Sequence, residues 1–147
     1  MVQDLIKILT RNQDKLYVEI ELFGEEESIW RTSGSISNTA GNLCLHLIGN
    51  LNTYVGKTLG NTGYIRDRHA EFSLKNVKRE ELLRQINKTK QVVRESLVPL
   101  HNDDLEKDYP EQVLGYPMTT GFFLVHLSAH LSYHLGQVNY LRRMLES

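Results

Sequence analysis

The chain has 147 residues, with 17 Lys or Arg against 18 Asp or Glu, so its formal net charge is −1. This balance, without a long basic run, argues against nucleic acid or an anionic membrane as a partner. The single cysteine, Cys44, excludes an internal disulfide and suits a reducing compartment. No apolar run approaches the roughly 20 residues of a membrane span, and the N-terminus lacks a signal-peptide core. We therefore expect one soluble, cytoplasmic domain over residues 1–147.

Apolar residues recur at helical spacing in four stretches of the chain, which predicts four helices. Four helices joined by connections of unequal length predict an all-α fold, and the expected architecture is a four-helix bundle. The long second and third connections are compatible with orders other than simple up-and-down. The predicted helices cover, in chain order, about Asp4–Phe23, Asn38–Leu59, Lys78–Leu97 and Thr120–Leu145.

The helix starts are expected at residues whose side chains can accept a hydrogen bond from the free N–H groups of the first turn. Ser37 or Asn38 fills this role for the second helix, and Thr119 or Thr120 fills it for the fourth. In the first helix the residues expected to be buried are apolar: Leu5, Ile8, Leu9, Leu16, Val18, Ile20 and Leu22.

Three glycines, Gly41, Gly49 and Gly56, fall inside the second predicted helix. Each costs about 1 kcal/mol relative to Ala in a helix interior, unless it permits the close approach of a neighbouring element. Gly60 is expected to end this helix.

Two connections stand out by their length. Residues 60–76 are polar and longer than a usual bundle turn, and connections of this kind often carry function or cover one end of a site. Residues 100–118 are irregular and acidic, and the pieces 112–114 and 116–118 could pair as a short hairpin at Gly115.

The most informative motif is a row of three histidines, His126, His130 and His134, spaced four apart in the last predicted helix. Imidazole is the commonest protein ligand for transition metals, and helical neighbours four apart can bind one ion. The first and last histidine lie about 12 Å and about 80° apart, too far for one small ion. A metal would therefore use His126 with His130, or His130 with His134.

A third ligand must come from another helix, and His46 lies among apolar residues in the middle of the second one. His69 and His101 fall in polar connections, where solvated side chains are expected. Cys44 is roughly 200° around the helix from His46, so it is expected to be a small buried apolar residue. The alternative is that the histidines are packed without metal, which would leave ring nitrogens without partners in an apolar seam.

A histidine in an apolar second helix, followed by His-x-x-x-His-x-Gly-Gln from His130 to Gln137, resembles the DinB/YfiT-like metalloenzyme superfamily. The resemblance spans nearly the whole chain, including the Arg-Asp-Arg-His-Ala-Glu-Phe connection. It implies a bundle with up-down-down-up connectivity and a homodimer. It also implies a divalent metal, most often zinc or nickel, held by His46, His130 and His134. His126 then becomes a residue of the surrounding pocket.

Characterised relatives in that superfamily imply thiol chemistry, in which a low-molecular-weight thiol is a co-substrate and a small electrophile is the substrate. Leu135 departs from the pattern, since many relatives carry a basic residue there that would contact an anion. A metal-dependent hydrolase could use the same site. A non-catalytic, stress-related dimeric bundle with a structural metal is a further alternative. So is a plain helical interaction protein.

Other pocket residues are suggested by their register. Gln137 and Asn50, one turn beyond His134 and His46, could donate hydrogen bonds to a ligand or substrate, and Tyr133 could border the pocket. Arg66 and Arg68 could bind the carboxylates of a thiol from the long connection. For each of these residues the alternative is a purely structural or solvated side chain.

Overall fold

The computed structural model describes residues 1–147 and contains helices without strands, which confirms the all-α prediction. A further segment, Asn52–Lys57, continues α2 as a π-helix, and two 3₁₀ turns lie at Glu26–Trp30 and Asn102–Glu106. No helix combines the length and apolar character required to cross a bilayer. The α-helices are α1 (Val2–Leu22), α2 (Ala40–Leu51), α3 (Arg68–Ser73), α4 (Arg79–Leu97) and α5 (Thr120–Leu145).

The four long helices run up, down, down and up. Helix α4 is antiparallel to α1 and parallel to α2, whereas α5 is parallel to α1 and antiparallel to α2. This is the connectivity that the family resemblance implied. These directions follow from pairs of contacts. For α4 the pairs are Asp14–Lys90 and Glu21–Arg79 with the α1 side, and Asn52–Thr89 and Gly56–Val92 with the α2 side. For α5 they are Glu19–Arg142 and Gly24–Glu146 with the α1 side, and His46–His130 and Tyr54–Phe123 with the α2 side.

One cluster of 29 buried apolar residues lies between these helices. Four of the seven residues expected to be buried in α1 belong to it: Leu5, Leu9, Leu16 and Ile20. The other three expectations were wrong, because Ile8, Val18 and Leu22 are exposed by 36%, 47% and 52%. They lie off the 3.6-residue row that faces α4 and α5.

The helix starts agree in part with the predicted caps. Helix α5 follows Thr119, whose Oγ1 accepts a hydrogen bond from the Phe122 N–H at 3.1 Å, as predicted. The cap of α2 is Thr39 rather than Ser37 or Asn38, and its Oγ1 accepts from the Asn42 N–H at 3.0 Å. The difference is one residue and reflects which hydroxyl reaches a free N–H of the first turn.

The hairpin expected at Gly115 was wrong. Residues 112–115 form a turn, closed by the Gly115 N–H donating to the Gln112 carbonyl, and the only pairing is an isolated bridge between Asp108 and Thr119. Pro110 and Pro117 explain this outcome, because proline has no N–H to donate to a strand ladder.

Helix α2 does not continue regularly to Leu59. Within Asn52–Lys57 the turn widens, so that the Thr58 N–H donates to the Thr53 carbonyl and the Gly60 N–H donates to the Val55 carbonyl, five residues back. The Tyr109 hydroxyl donates to the Tyr54 carbonyl at 2.7 Å, which ties the residue 100–118 connection to this widened turn. Widened turns of this kind are often found beside functional sites.

Candidate metal centre

Helix α2 supplies the most deeply placed histidine of the cluster. All 12 residues of α2 are buried, and His46 in its middle is only 7% exposed. Its ring packs 4.9 Å from the Phe72 ring of α3 on one side and 5.1 Å from the His130 ring of α5 on the other. An imidazole in such a place needs partners for both of its nitrogen atoms.

Helix α5 supplies two more histidines on the face that meets α2. The His130 and His134 ring centroids lie 4.6 Å apart, and His134 lies 5.4 Å from the His46 ring. One nitrogen from each of these three residues forms a group in which no pair is farther apart than 4.8 Å. The three-histidine cluster could therefore hold a divalent metal ion.

The ring nitrogens of His46 and His130 test whether such an ion fits. Their Nε2 atoms face each other at 3.2 Å. Two nitrogen ligands of a tetrahedral zinc ion, each about 2.0–2.1 Å from the metal, lie about 3.3 Å apart. The pair already has this spacing, whereas two neutral lone pairs at that distance repel each other unless a proton or a cation lies between them.

A carboxylate fixes the proton on the other side of the His46 ring. Nδ1 of His46 lies 3.0 Å from Oε1 of Glu71, and a carboxylate can only accept, so Nδ1 carries the hydrogen and Nε2 presents a lone pair. Arg66 donates to both oxygens of Glu71, from Nε at 2.8 Å and from Nη2 at 3.0 Å. Glu71 is 6% exposed, and the Arg66 side chain is also largely buried.

Local hydrogen bonds place Glu71 beside α2. The Asp67 side chain caps α3 by accepting from the Ala70 N–H at 3.0 Å. The Asn42 amide donates to the carbonyls of Glu71 and Leu74, each at 2.9 Å, which ties the middle and the C-terminal end of this short helix to the first turn of α2. The side chain of Glu71 thereby points along α2 towards His46.

The exposed amide of Gln137 fixes the position of the ring hydrogen of His134, as Glu71 does for His46. Nδ1 of His134 lies 2.7 Å from Oε1 of Gln137, and this oxygen can only accept, so Nδ1 carries the hydrogen and Nε2 is the free ring nitrogen. Gln137 was expected to donate a hydrogen bond to a ligand or substrate. In the structure its Oε1 accepts a hydrogen bond from the ring of a candidate metal ligand, from the next turn of the same helix.

A cavity of about 440 Å³ opens beside His46 and His130. His126 lines it one turn before His130, with its ring stacked 6.4 Å from the His130 ring. Arg68 also lines the cavity, its guanidinium 5.6 Å from the Phe72 ring centre, and it makes no ion pair. The cavity wall contains two arginines and one amide but no carboxylate, since the remaining lining residues are Asn50, Tyr54, Arg66, Val113, Phe123 and Leu127.

Two residues that line the cavity each have a buried polar atom without a hydrogen-bond partner in the protein: Oδ1 of Asn50 and Nδ1 of His130. Asn50 was expected in the pocket, and it lies there at 7% exposure with this acceptor unused. Tyr133 lies outside the cavity wall, with its ring against His134 at 5.3 Å and 66% of the residue exposed. Buried polar atoms without a partner are uncommon in proteins and indicate a position where a ligand or water binds.

The surroundings favour the neutral form of His130 and of His134 and the charged form of Glu71. Burial, followed by the charges of His134 and His46, lowers the pKa of His130 to about 4. Burial also lowers the pKa of His134, against the hydrogen bond to Gln137. Burial alone would raise the pKa of Glu71, but the hydrogen bonds from His46 and Arg66 outweigh it and bring that pKa below its usual value. These are the protonation states that metal binding requires.

Cys44 lies away from the site, as predicted. It is fully buried, and burial raises the pKa of its thiol to about 12, so it is an inert apolar residue. His69 and His101 are exposed, also as predicted.

Sequence reasoning missed Glu71 altogether, and it treated Arg66 as a surface or substrate-binding cation. The usable signal was the glycine at position 49, one turn after His46. A Cβ atom there would lie 1.9 Å from Oε2 of Glu71, so this glycine marks the place where another side chain approaches the helix.

Together, the bundle and its three-histidine cluster define a helical protein with a candidate metal centre. Residues 2–147 match the model of the family described as "Protein of unknown function (DUF1572)", and the chain belongs to this family. DUF1572 is a DinB-like family of the same clan as the superfamily that the motifs resemble. A comparison with curated proteins finds no match.

Proposed function

We propose that this protein is a metal-dependent enzyme that transfers a low-molecular-weight thiol to a small electrophile. His46, His130 and His134 would hold the ion, with zinc or nickel as the metal. The observation that carries the proposal is the facing pair of Nε2 atoms at 3.2 Å beside a cavity of about 440 Å³. Three histidines leave a coordination position open, as in catalytic rather than structural zinc sites.

A divalent metal bound there would act as a Lewis acid that lowers the pKa of a thiol and stabilises the thiolate. His126 lines the cavity next to His130 and would accept the proton that leaves the sulfur. The thiolate sulfur then attacks the electrophilic carbon, forming a carbon–sulfur bond. The bond to the leaving group breaks, and its electron pair departs with that group.

The cavity wall supports thiol transfer more than hydrolysis. A cysteine-type thiol has a pKa of about 8.5, whereas bulk water has a pKa of about 15.7 and needs a stronger base or a larger shift. None of the ten residues that line the cavity is a carboxylate, and the nearby Glu71 is occupied by His46 and Arg66. A hydrolase at this site would therefore have no carboxylate general base and would depend on His126 alone for proton transfer.

Arg68 provides the recognition of the substrate in this proposal. It lies at the cavity without an ion-pair partner, whereas Arg66 is occupied by Glu71. A free guanidinium binds a carboxylate with two parallel hydrogen bonds. The preferred thiol would therefore carry a carboxylate group.

Elemental analysis of protein purified without a histidine tag tests the metal part of the proposal. We expect one zinc or nickel ion per chain. Tag-free protein that contains no stoichiometric metal, and takes up none after dialysis against zinc or nickel, would refute it.

Conjugation of monochlorobimane to cysteine or glutathione, measured by fluorescence, tests the reaction. The metal-loaded protein should accelerate conjugation, a chelator should abolish the acceleration, and added metal should restore it. Arg68→Leu should raise KM for glutathione more than it lowers kcat, because it removes binding rather than chemistry. Metal-dependent cleavage of a nitrophenyl ester without any thiol-dependent conjugation would instead assign the site to a hydrolase.

A further inference from the structure

Glu71 and Arg66 form a buried ion pair whose presence stability does not explain. The carboxylate is 6% exposed and receives three hydrogen bonds at 2.8–3.0 Å, one from His46 and two from Arg66. Replacing a buried ion pair by well-packed apolar side chains is often neutral or stabilising, because folding removes both charges of the ion pair from water at a large free-energy cost. The third group that the pair touches is the His46 ring, and the role of the pair lies in that contact.

Gly49 is a second observation that points to the same contact. It lies inside α2, where alanine would favour the helix. An added Cβ would fall 1.9 Å from Oε2 and 2.6 Å from Cδ of Glu71, a distance that real Cβ atoms do not show. The helix therefore lacks a side chain at the point where the carboxylate passes on its way to His46.

We propose that Glu71 is the positioning residue of the candidate metal centre. Arg66 orients its carboxylate, and the absence of a side chain at Gly49 leaves room for it beside α2. By accepting the Nδ1 hydrogen of His46, it fixes the ring in one tautomer and one orientation, with Nε2 directed at His130. The consequence for metal affinity rests on the proposed function, whereas the tautomer of His46 does not.

The physical effect is preorganisation of a ligand. A neutral imidazole without a partner rotates about its side-chain torsions and exchanges between two tautomers, and only one of these presents Nε2 as a ligand. A carboxylate at 3.0 Å removes both freedoms, and its charge makes the ring a stronger donor of its lone pair. Loss of such a partner typically weakens metal affinity by about 10- to 100-fold.

Imidazole nitrogen NMR of the full chain, freed of metal by a chelator and held at pH 8, tests the contact directly. The native protein should show His46 with the hydrogen on Nδ1, and Glu71→Ala should show a mixture of the two tautomers. Glu71→Gln should retain the native tautomer, because the amide oxygen can still accept. A native spectrum with the hydrogen on Nε2, or no change in Glu71→Ala, overturns the proposal.

Cobalt(II) titration of the same proteins, followed by visible absorption, tests the effect on metal affinity. Glu71→Ala and Gly49→Ala should each weaken cobalt binding by about 10- to 100-fold, with Glu71→Gln weakening it less. If Glu71→Ala fails to fold, Gly49→Ala still tests the proposal. The atoms that its methyl group displaces lie at the flexible end of the Glu71 side chain, so this variant should fold.

Gly136→Ala is the matched control for Gly49→Ala. It also adds a methyl group to a helix glycine near a candidate ligand, His134, but its Cβ would meet no atom within 4 Å. Its cobalt affinity should equal that of the native protein. Equal affinity in all four variants overturns the proposal, as does a loss in Gly136→Ala as large as that in Gly49→Ala.

The two experiments separate the failure of this inference from the failure of the proposed function. If the native protein binds no cobalt, the metal proposal fails, and the NMR measurement still decides whether Glu71 fixes the His46 ring. If cobalt binds tightly in every variant, the metal proposal stands and the positioning role of Glu71 fails.

Discussion

The two walls of the candidate metal centre hold their histidines in different ways. On the wall formed by α2 and α3, His46 is 7% exposed and bound to a buried carboxylate that Arg66 holds with two hydrogen bonds. On the wall formed by α5, His134 is half-buried, and its ring is held by the neutral, exposed amide of Gln137. The same kind of ligand is thus fixed by charge and burial on one side and by a local neutral contact on the other. The difference predicts which wall is more sensitive to substitution.

The largest effect is expected from His130, the α5 residue that contacts a candidate ligand on each of the two walls. His130 faces His46 at 3.2 Å and packs against His134, so His130→Ala should abolish metal binding, a greater loss than the roughly 10- to 100-fold caused by removing a supporting partner. His126→Ala should leave most of the metal affinity. Cobalt titration of both proteins measures this, and the opposite ranking would move the site one turn towards the N-terminus of α5.

Breaking the buried pair of Arg66 and Glu71 should also lower the stability of the protein. Arg66→Leu leaves the Glu71 carboxylate buried with one fewer charged partner, and it should lower the free energy of unfolding by about 3 kcal/mol. Urea unfolding followed by circular dichroism measures the change. Arg84→Leu removes an exposed pair with Glu81 and serves as the control, for which no measurable change is expected. A similar small change in both variants would mean that the buried pair does not bear on stability.

Acid should destabilise the metal-free protein through His130. Its pKa is about 4 in the folded chain against 6.5 for the unperturbed group, so between these values the unfolded state binds the proton and the folded state does not. The free energy of unfolding should therefore be constant above about pH 6.5 and fall as the pH is lowered towards 4. The lowered pKa of Glu71 acts in the same direction, at lower pH.

Urea unfolding at pH 7 and pH 5 measures this dependence, and His130→Asn supplies the comparison. The variant has no imidazole to protonate at this position, so its stability should fall less between the two pH values. Equal slopes for the native protein and the variant would contradict the assignment to His130.

The smallest effect is expected on the α5 wall. Gln137→Ala should weaken cobalt binding by about tenfold or less, because water can replace the exposed amide oxygen as the acceptor for His134 Nδ1. The loss of cobalt affinity in Gln137→Ala should be smaller than the loss in Glu71→Ala. A larger loss would show that the exposed contact is the more important one.

Several features of the site could be predicted from the sequence because they depend on local geometry. The fourfold spacing places His130 and His134 on one helix face, whatever the bundle does elsewhere. The apolar surroundings of His46 predicted that it would be buried. The contact from Gln137 to His134 is also local, because residues three apart lie on neighbouring turns of one helix face.

Other features depend on contacts between distant parts of the chain. Glu71 follows His46 by 25 residues and reaches it only because the 60–76 connection folds back onto α2, held by Asn42. The hairpin expected at Gly115 is a different case, because the prolines on either side of it, which prevent a strand ladder, are visible in the sequence. The homodimer and the thiol co-substrate stay predictions.

The sequence by itself determined the helices, their buried stripes and the row of histidines on α5, because periodicity and side-chain direction follow from backbone geometry within a few residues. Only the tertiary structure decided that His46 meets His130 nitrogen to nitrogen and that Glu71 and Arg66 stand behind it. Those contacts depend on the order and direction in which the helices pack. A carboxylate in a polar connection has no sequence signature until the fold buries it against an imidazole.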